Sequence, residues 1–366
     1  MKVEIDYQEL LKLVRDVSRV SDPKQENVYQ CIFVEVLLGK IAFTATNLEL
    51  YIKREAQAKV YEQGQVLINA KLFSQIVKRM NATTVMLEVV GQQLYITSDT
   101  GSKTALAILD HLGPFPTMKK ELFTETSRID GRIFYQMVQK VLFVGDTKEK
   151  NSEDISSSAC LEIKDGTLQI QVLDSFRIAV RKEKISGSAD VDIKIRLGNL
   201  REIAALIKNE KEVKVFIDKH YISLEFENVY IGCRLLDGAF FRAIEKMSPM
   251  IEKTSTFTLN RERLIDSIDR AMIFDNVAFF IDVKKEGIAK LYASAVNGNV
   301  EDQLPVTCTG EDIKICFNQR YGIQIFKALE DEDITIRYID KKKPFFIVDD
   351  EGSYMYAILP INYQEV

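Results

Sequence analysis

Three stretches of this chain repeat one pattern: Val3–Val20 (VEIDYQELLKLVRDVSRV), Ser127–Val144 (SRIDGRIFYQMVQKVLFV) and Phe257–Phe274 (FTLNRERLIDSIDRAMIF). Each runs from a short strand into an amphipathic helix. A second trio interleaves with them: Val66–Met80, Ile193–Asn209 and Ile313–Leu329. The spacing, about 120 residues, exceeds the roughly 20–50 residues of solenoid repeats and matches the size of a domain. The chain therefore reads as three copies of one small α/β unit. A repeated domain without a catalytic centre builds a surface or a ring.

Within each third, further strands follow the first helix, and a second strand-helix pair precedes a final run of strands. The runs VMLEVVGQQLYITS, EVKVFIDKHYISLEF and DITIRYIDKKKPFFIV each flank a turn, at Gly91-Gln92, Asp218-Lys219 and Asp340–Lys343. Apolar residues recur at helical spacing, as in Leu10, Leu11, Val14 and Val17, or Leu264, Ile265, Ile268 and Met272. Such helices lay one face on a sheet and turn the other to water. Two helices covering one face of antiparallel strands make an α+β layer unit. Joints are expected at Lys119–Thr126 and Met250–Ser255, which gives domains over 1–125, 126–254 and 255–366. Asp146–Asp154 and Ser186–Asp190 read as exposed loops.

Composition narrows the class. A chain of 366 residues, 46% hydrophobic and 28% charged, supports two or three soluble domains with real cores. No apolar run reaches the roughly 18 residues of a membrane span. The start, MKVEIDYQELL, alternates and carries acids, unlike a signal peptide. Five scattered cysteines with no CxxC pair read as reduced, buried thiols of a cytoplasmic protein. With two histidines and no ligand cluster, neither a metal nor any other cofactor is expected.

Charge is unevenly distributed. Over the candidate helices 6–20, 69–81, 130–144, 198–209, 260–273 and 318–329, 15 Lys or Arg stand against 8 Asp or Glu. The whole chain is at −5, so everything else carries −12. Helix surfaces favour Lys and Arg in any case. The functional reading is one basic surface facing phosphates.

Catalytic motifs are missing. Gly39-Lys40 lacks the rest of a P-loop, and neither GxGxxG after a strand nor GxSxG occurs. Asp237, Asp349 and Asp350 read as turn residues rather than a metal site. An enzyme built on carboxylates is therefore the disfavoured reading.

Four unrepeated segments carry a family resemblance: ATNLELYI (Ala45–Ile52), VLDSFRIAV (Val172–Val180), RLLDGAFFRAIEKMSP (Arg234–Pro249) and YAILPINYQEV (Tyr356–Val366). With the triple repeat, they make the whole chain resemble the bacterial DNA sliding clamp, the beta subunit of DNA polymerase III. The resemblance implies three clamp domains per subunit, closed head to tail as a homodimeric ring. Helices would line a hole around double-stranded DNA, and sheets would form the outer wall. It implies a non-catalytic processivity factor, loaded by a clamp loader, that tethers the replicative DNA polymerase and other proteins bearing clamp-binding motifs. The alternative is a divergent clamp-like scaffold for protein interactions, outside processive replication.

The resemblance also implies sites. DNA-facing cations would be Lys71, Lys78, Arg79, Arg196, Arg201, Arg320 and Lys327, with Lys24 where similar clamps hold a DNA-contacting arginine. Ring closure would join Lys103, Thr104 and Leu106 to Ile273, Phe274, Glu301 and Asp302. Thr104 stands where an aromatic is frequent, which implies a weaker joint. A groove for partner peptides would include Leu173, Ser175, Phe176, Arg177 and Ile178 from the middle third, with Phe241. The last third would add Asn318, Tyr321, Ile358, Leu359, Pro360 and Ile361. Many clamps read DGHR where this chain has Asp174-Ser-Phe-Arg177, and proline where Phe241 stands. One residue is extra between Phe241 and Pro249, and Asn362–Val366 runs past the usual end. A working groove with altered preference is expected.

Overall fold

Every repeat opens on a strand whose end, or the residue just after it, caps a helix. The Asp6 carboxylate accepts the main-chain N–H groups of Gln8 and Glu9 at 2.8 and 3.1 Å. Asp130 accepts those of Arg132 and Ile133 at 2.9 and 3.3 Å, and the Asn260 side chain accepts that of Arg263 at 3.1 Å. These bonds satisfy donors that the first helical turn leaves open. In the second trio Asn69 and Asn318 do the same for Leu72 and Arg320. The computed structural model describes all residues except 22–26, 119–124, 146–154, 188–189, 239–241, 275–276 and 363–366. The expected joint at Lys119–Thr126 falls largely outside the described residues, and the expected loop Asp146–Asp154 falls wholly outside them.

The first repeat comprises β1 (Lys2–Asp6), α1 (Tyr7–Val17), β2 (Cys31–Leu37), β3 (Lys40–Thr46), β4 (Leu50–Gln57) and β5 (Lys59–Glu62). It ends with β6 (Gly64–Asn69), α2 (Ala70–Lys78), β7 (Thr84–Val90), β8 (Gln93–Ser98) and β9 (Lys103–Ala107). The second begins with β10 (Glu125–Ile129), α3 (Gly131–Leu142), β11 (Ser158–Lys164), β12 (Thr167–Leu173), β13 (Arg177–Lys184) and β14 (Ser186–Gly187). It continues through β15 (Val191–Arg196), α4 (Leu197–Ile207), β16 (Val213–Ile217), β17 (Tyr221–Phe226), β18 (Val229–Arg234) and α5 (Ala243–Ile251). The third begins with β19 (Ser255–Asn260), α6 (Arg261–Ala271), β20 (Ala278–Lys284), β21 (Ile288–Ala295), β22 (Gly298–Pro305) and β23 (Thr307–Cys308). It closes with β24 (Ile313–Asn318), α7 (Gln319–Ala328), β25 (Asp333–Tyr338), β26 (Phe345–Val348) and β27 (Tyr354–Ile358).

Two compact units share these strands. The first (Met1–Phe134, Ser186–Ser188 and Glu202–Leu236) holds the sheets β5-β1-β7-β8-β9 and β14-β10-β16-β17-β18-β4-β3-β2-β6. The second (Tyr135–Ile185, Ala189–Arg201 and Asp237–Val366) holds β15-β11-β12-β13-β27-β26-β25-β19-β23 and β22-β21-β20-β24. Each nine-stranded sheet thus runs through a junction between repeats. At one, β18 pairs antiparallel with β4, from Val229 opposite Arg54 to Cys233 opposite Leu50. At the other, β27 pairs with β13, from Tyr354 opposite Arg181 to Ile358 opposite Arg177.

Matching the helix caps and hairpin registers makes Leu50–Arg54, Arg177–Arg181 and Gly298–Asp302 one repeat position. Val229–Cys233, Tyr354–Ile358 and Ser102–Leu106 are another. The third member of each set, on β22 and on β9, lies at a sheet edge.

Cores are aromatic as well as aliphatic. Phe43 and Phe73 lie 5.8 Å apart in the first unit, and Phe317 meets Phe279, Phe326 and Phe345 at 5.5–6.0 Å in the second. A Cβ on Gly322 would come within 2.2 Å of the Phe317 ring, so only glycine lets α7 sit this close. The helices number seven among the described residues, against the six expected. The extra one, α5, packs Ile244, Met247 and Ile251 onto Val180 and Met355, and it absorbs the start of the expected joint at Met250. Ser186–Gly187 is a short strand paired with β10 instead of a loop. Cys31, Cys160, Cys233 and Cys316 are buried and Cys308 is half-buried, all as free thiols.

Candidate functional site

The hairpin turn between β12 and β13 is built by Asp174. Its Oδ1 accepts the N–H groups of Phe176 (2.7 Å) and Arg177 (2.6 Å), an arrangement that short acidic side chains favour. Arg177 then folds back. Its Nε and Nη2 donate to Asp174 Oδ2 at 3.0 and 2.9 Å, its Nη1 to Gln324 Oε1 at 2.6 Å, and its Nη2 to the Val144 carbonyl at 3.1 Å. The guanidinium also lies 4.1 Å from the Tyr321 ring centroid. Arg177 is therefore a buried tie between the hairpin, the chain just after α3, and α7, with all three of its nitrogens donating hydrogen bonds.

Phe176 points outward, 52% exposed, with its ring 5.9 Å from that of Tyr321. Its carbonyl accepts the Leu359 N–H at 2.8 Å, and Leu359 is 42% exposed. Farther on, the Ile361 N–H donates to the Cys316 carbonyl at 2.8 Å, and its side chain packs on the cluster of Ala278, Phe280 and Cys316. Burial pushes the Cys316 thiol up to about 11. Phe176, Tyr321 and Leu359 thus form an apolar surface flanked by Pro360, Ile361 and Leu173, with Ser175 exposed at the turn.

The remaining expected groove residues have other places. Ile358 is buried in the sheet, Ile178 packs beneath α5, and Asn318 caps α7. Phe241 lies outside the described residues. Gln324, the carbonyl of Val144 and the α5 residues Ile244 and Met247 belong to this neighbourhood and went unrecognised. The i,i+3 spacing of Tyr321 and Gln324 on α7 is the one local signal that could have found a member.

The two sheet edges hold the second set. On β9, Lys103 places Nζ 4.3 Å over the Tyr95 ring, Thr104 is half-buried and Leu106 is buried. On β22, Glu301 pairs with Lys290 at 2.9 Å. Asp302 accepts from Ser267 Oγ at 2.6 Å and from Arg270 at 2.5 Å. Burial by itself would raise the Asp302 carboxyl, but these two donors bring it below its ordinary value. The Phe274 ring packs over Gly298, where a Cβ would come within 2.4 Å of it. Ile273 is 77% exposed. Leu72 on α2 and Val296 at the β21–β22 turn are among the exposed apolar residues that no sequence pattern singles out.

The third set is cationic. Lys71 and Lys78 project from the face of α2 opposite its buried Ala70, Phe73, Ser74 and Val77. Arg79 ends that helix, donating to the Gln75 carbonyl at 3.1 Å. Arg320 and Lys327 share the exposed face of α7, but Lys327 is bound to Asp269 of α6 at 3.2 Å. Arg196 and Arg201 are half-buried, and Lys24 lies outside the described residues. The basic excess is concentrated on α2 and α7, whereas α6 offsets its arginines with Glu262, Asp266 and Asp269. Among the described residues no group of three His, Cys, Asp or Glu is placed to hold a metal ion. No helix among them is long and apolar enough to cross a membrane.

Three family models match the chain in order: the N-terminal domain of the DNA polymerase III beta subunit over residues 1–119, the central domain over 128–241 and the C-terminal domain over 250–362. The chain belongs to the DNA polymerase III beta subunit family. Curated relatives of this beta-subunit chain include the beta sliding clamp of Chlamydia muridarum, 28% identical over 99% of both chains. That of Bacillus subtilis is 24% identical over 99% of this chain and 100% of the relative. Among solved structures, a putative DNA polymerase III beta subunit from Eubacterium rectale superposes with a TM-score of 0.91 at 24% identity. The sliding clamp of Bacillus subtilis superposes with a TM-score of 0.89 at 20% identity. These two matches cover 99% and 100% of this chain, and all of each neighbour, so the three-domain clamp fold extends over the whole chain.

Proposed function

We propose that this beta-subunit family member is a sliding clamp, a non-catalytic processivity factor that encircles duplex DNA as a head-to-tail homodimer. A clamp loader places it on DNA, and it tethers the replicative DNA polymerase and other proteins that carry clamp-binding motifs. Its domains span 1–125, 126–254 and 255–366.

One observation carries the assembly. The strand pair that joins repeats, β18 with β4 and β27 with β13, has its third copy unpaired, with β9 and β22 each at a sheet edge. A second copy satisfies both edges at once. Bare edges invite uncontrolled pairing, and a closed ring removes them. Carrying the internal register across sets Lys103 opposite Glu301, Thr104 opposite Val300 and Leu106 opposite Gly298 of the next copy. The Lys-Glu pair is of the complementary kind that stabilises neighbouring strands. Ile273 holds the repeat position of Arg19, whose guanidinium reaches Glu202 on α4 at 3.1 Å. Its exposed side chain is thereby directed at Leu72 and Gln75 of the next copy.

On DNA, the exposed cations of α2 and α7 supply attraction to phosphates that is independent of sequence and changes little from step to step. Topology, rather than tight contact, retains the duplex. The groove centred on Phe176, Tyr321 and Leu359 takes the hydrophobic anchors of an extended partner peptide. The whole-length family match gives no support to a scaffold divorced from replication.

The test is retention on DNA after loading by a clamp loader. The protein should remain on nicked circular plasmid and run off the same plasmid once it is cut. Equal loss from both forms would refute encirclement. Lys78→Glu with Arg79→Glu should reduce loading and processive synthesis at moderate salt, and unchanged synthesis would remove these two residues from the DNA face.

A further inference from the structure

The turn 339–344 joins β25 to β26 and carries Lys341, Lys342 and Lys343, all exposed. Asp340 shapes this turn. Its Oδ1 accepts the N–H groups of Lys342 and Lys343 at 2.7 and 3.0 Å, so the carboxylate serves the backbone. The turn therefore presents three ammonium groups on a fixed main chain.

Its position follows from the strand register. Arg177 pairs with Ile358, and Ile358 with Phe345, in one row across β13, β27 and β26. Phe176, Leu359 and the lysine turn all leave the sheet at the same end of that row. With strands about 4.8 Å apart, Lys343 stands on the order of 10 Å from the Phe176 hairpin. That is about three residues of extended peptide. The nearest carboxylate of the hairpin, Asp174, is already bound by Arg177.

We propose that the lysine turn is the second half of the partner site, recognising acidic residues that lie about three to five positions from the hydrophobic anchor of a docking peptide. This rests on the groove reading above. The occupant is an acidic-flanked peptide, because three exposed ammonium groups leave the sheet at the same end as the apolar Phe176–Leu359 surface. Three clustered cations steer such a peptide to the groove and discriminate it from one with a neutral flank. The attraction is exposed, so it weakens with salt.

Fluorescence anisotropy on the full-length protein tests this with QLxLF-type peptides whose flanks are neutral, acidic on the N-terminal side or acidic on the C-terminal side. One acidic peptide should bind about three- to tenfold tighter than the neutral one at low salt, with the advantage lost at high salt. In Lys341→Glu/Lys342→Glu/Lys343→Glu that advantage should vanish or reverse while the neutral peptide binds as before. Equal affinity for all peptides, or an advantage that survives the charge reversal, overturns the proposal. So does a charge-reversed protein that loses retention on circular DNA yet keeps the peptide preference, since the lysines would then serve DNA. If the neutral peptide also fails to bind the unmodified protein, the groove reading itself fails and this proposal falls with it.

Discussion

The main-chain N–H of Leu359 donates to the carbonyl of Phe176 at 2.8 Å, and the same bond recurs at the other junction, from Arg234 to Glu49 at 2.7 Å. Asn47 likewise repeats Asp174, accepting the N–H groups of Glu49 and Leu50 at 3.0 and 2.8 Å. Both junctions therefore share a backbone scaffold, and their side chains differ. Where one carries Phe176 and Leu359, the other carries Glu49 and Arg234. Side-chain dressing, not backbone shape, gives only one of them an exposed apolar surface.

Phe176→Glu gives this junction the dressing of its sister, on the proposed groove. Because Phe176 is half exposed, the fold should be kept. Affinity for a hydrophobic clamp-binding peptide should fall by about tenfold or more, as for loss of an aromatic anchor. Calorimetric titration checks this, and affinity within twofold of the parent would dismiss Phe176 as an anchor.

Arg177→Ala should act on stability first. It leaves the half-buried Asp174 without its cation and frees the tie to Gln324 and Val144, a loss approaching the about 3–5 kcal/mol of a broken buried pair. Arg177→Lys should recover only a part, because an ammonium cannot reproduce the fork. Urea unfolding followed by circular dichroism measures both. Alanine and lysine variants of equal stability would show that the forked geometry contributes nothing.

Across the joint between copies, Lys103→Glu or Glu301→Lys alone should weaken dimerisation, and the two together should restore it. Exposed pairs of this kind contribute at most about 1 kcal/mol, so each single change corresponds to roughly fivefold in dissociation constant. Ile273→Ala with Phe274→Ala should go further and yield monomers. Sedimentation velocity separates the cases; a double charge swap no better than the singles would reject the inferred register.

Asp302 introduces a pH dependence. Its folded carboxyl titrates below its ordinary value because Ser267 and Arg270 bind the charged form. Its stabilisation is therefore present at neutral pH, and it is lost as pH falls through the ordinary carboxylate range near 4 to the folded value. Asp302→Asn should be the less stable protein at pH 7, by about 1 kcal/mol or less. The difference should close on acidification, as read by thermal unfolding across pH. A gap that widens in acid would reverse the assignment.

Much of the fold was legible because it is written locally. Helix caps such as Asp6 and Asn260, the 3.6-residue apolar spacing and the strand turns all act within a few residues, and threefold repetition exposed them. The departures are tertiary. The helix α5 rests on Ala243, Ile244, Met247 and Ile251, whose run is too brief to read until the sheet beneath them is known. The resemblance assigns Arg177 to a peptide-binding surface, and its partners Gln324 and Val144 lie 147 and 33 residues away in the chain. By itself the sequence determined three α+β repeats and a basic bias in their helices, since both follow from periodicity and charge count. Only the tertiary structure decided that β9 and β22 are the unpaired copies of the junction strands, and that Phe176 faces out while Arg177 turns in. Neighbours that close a strand edge or surround a guanidinium are assembled from distant segments, and no local pattern records them.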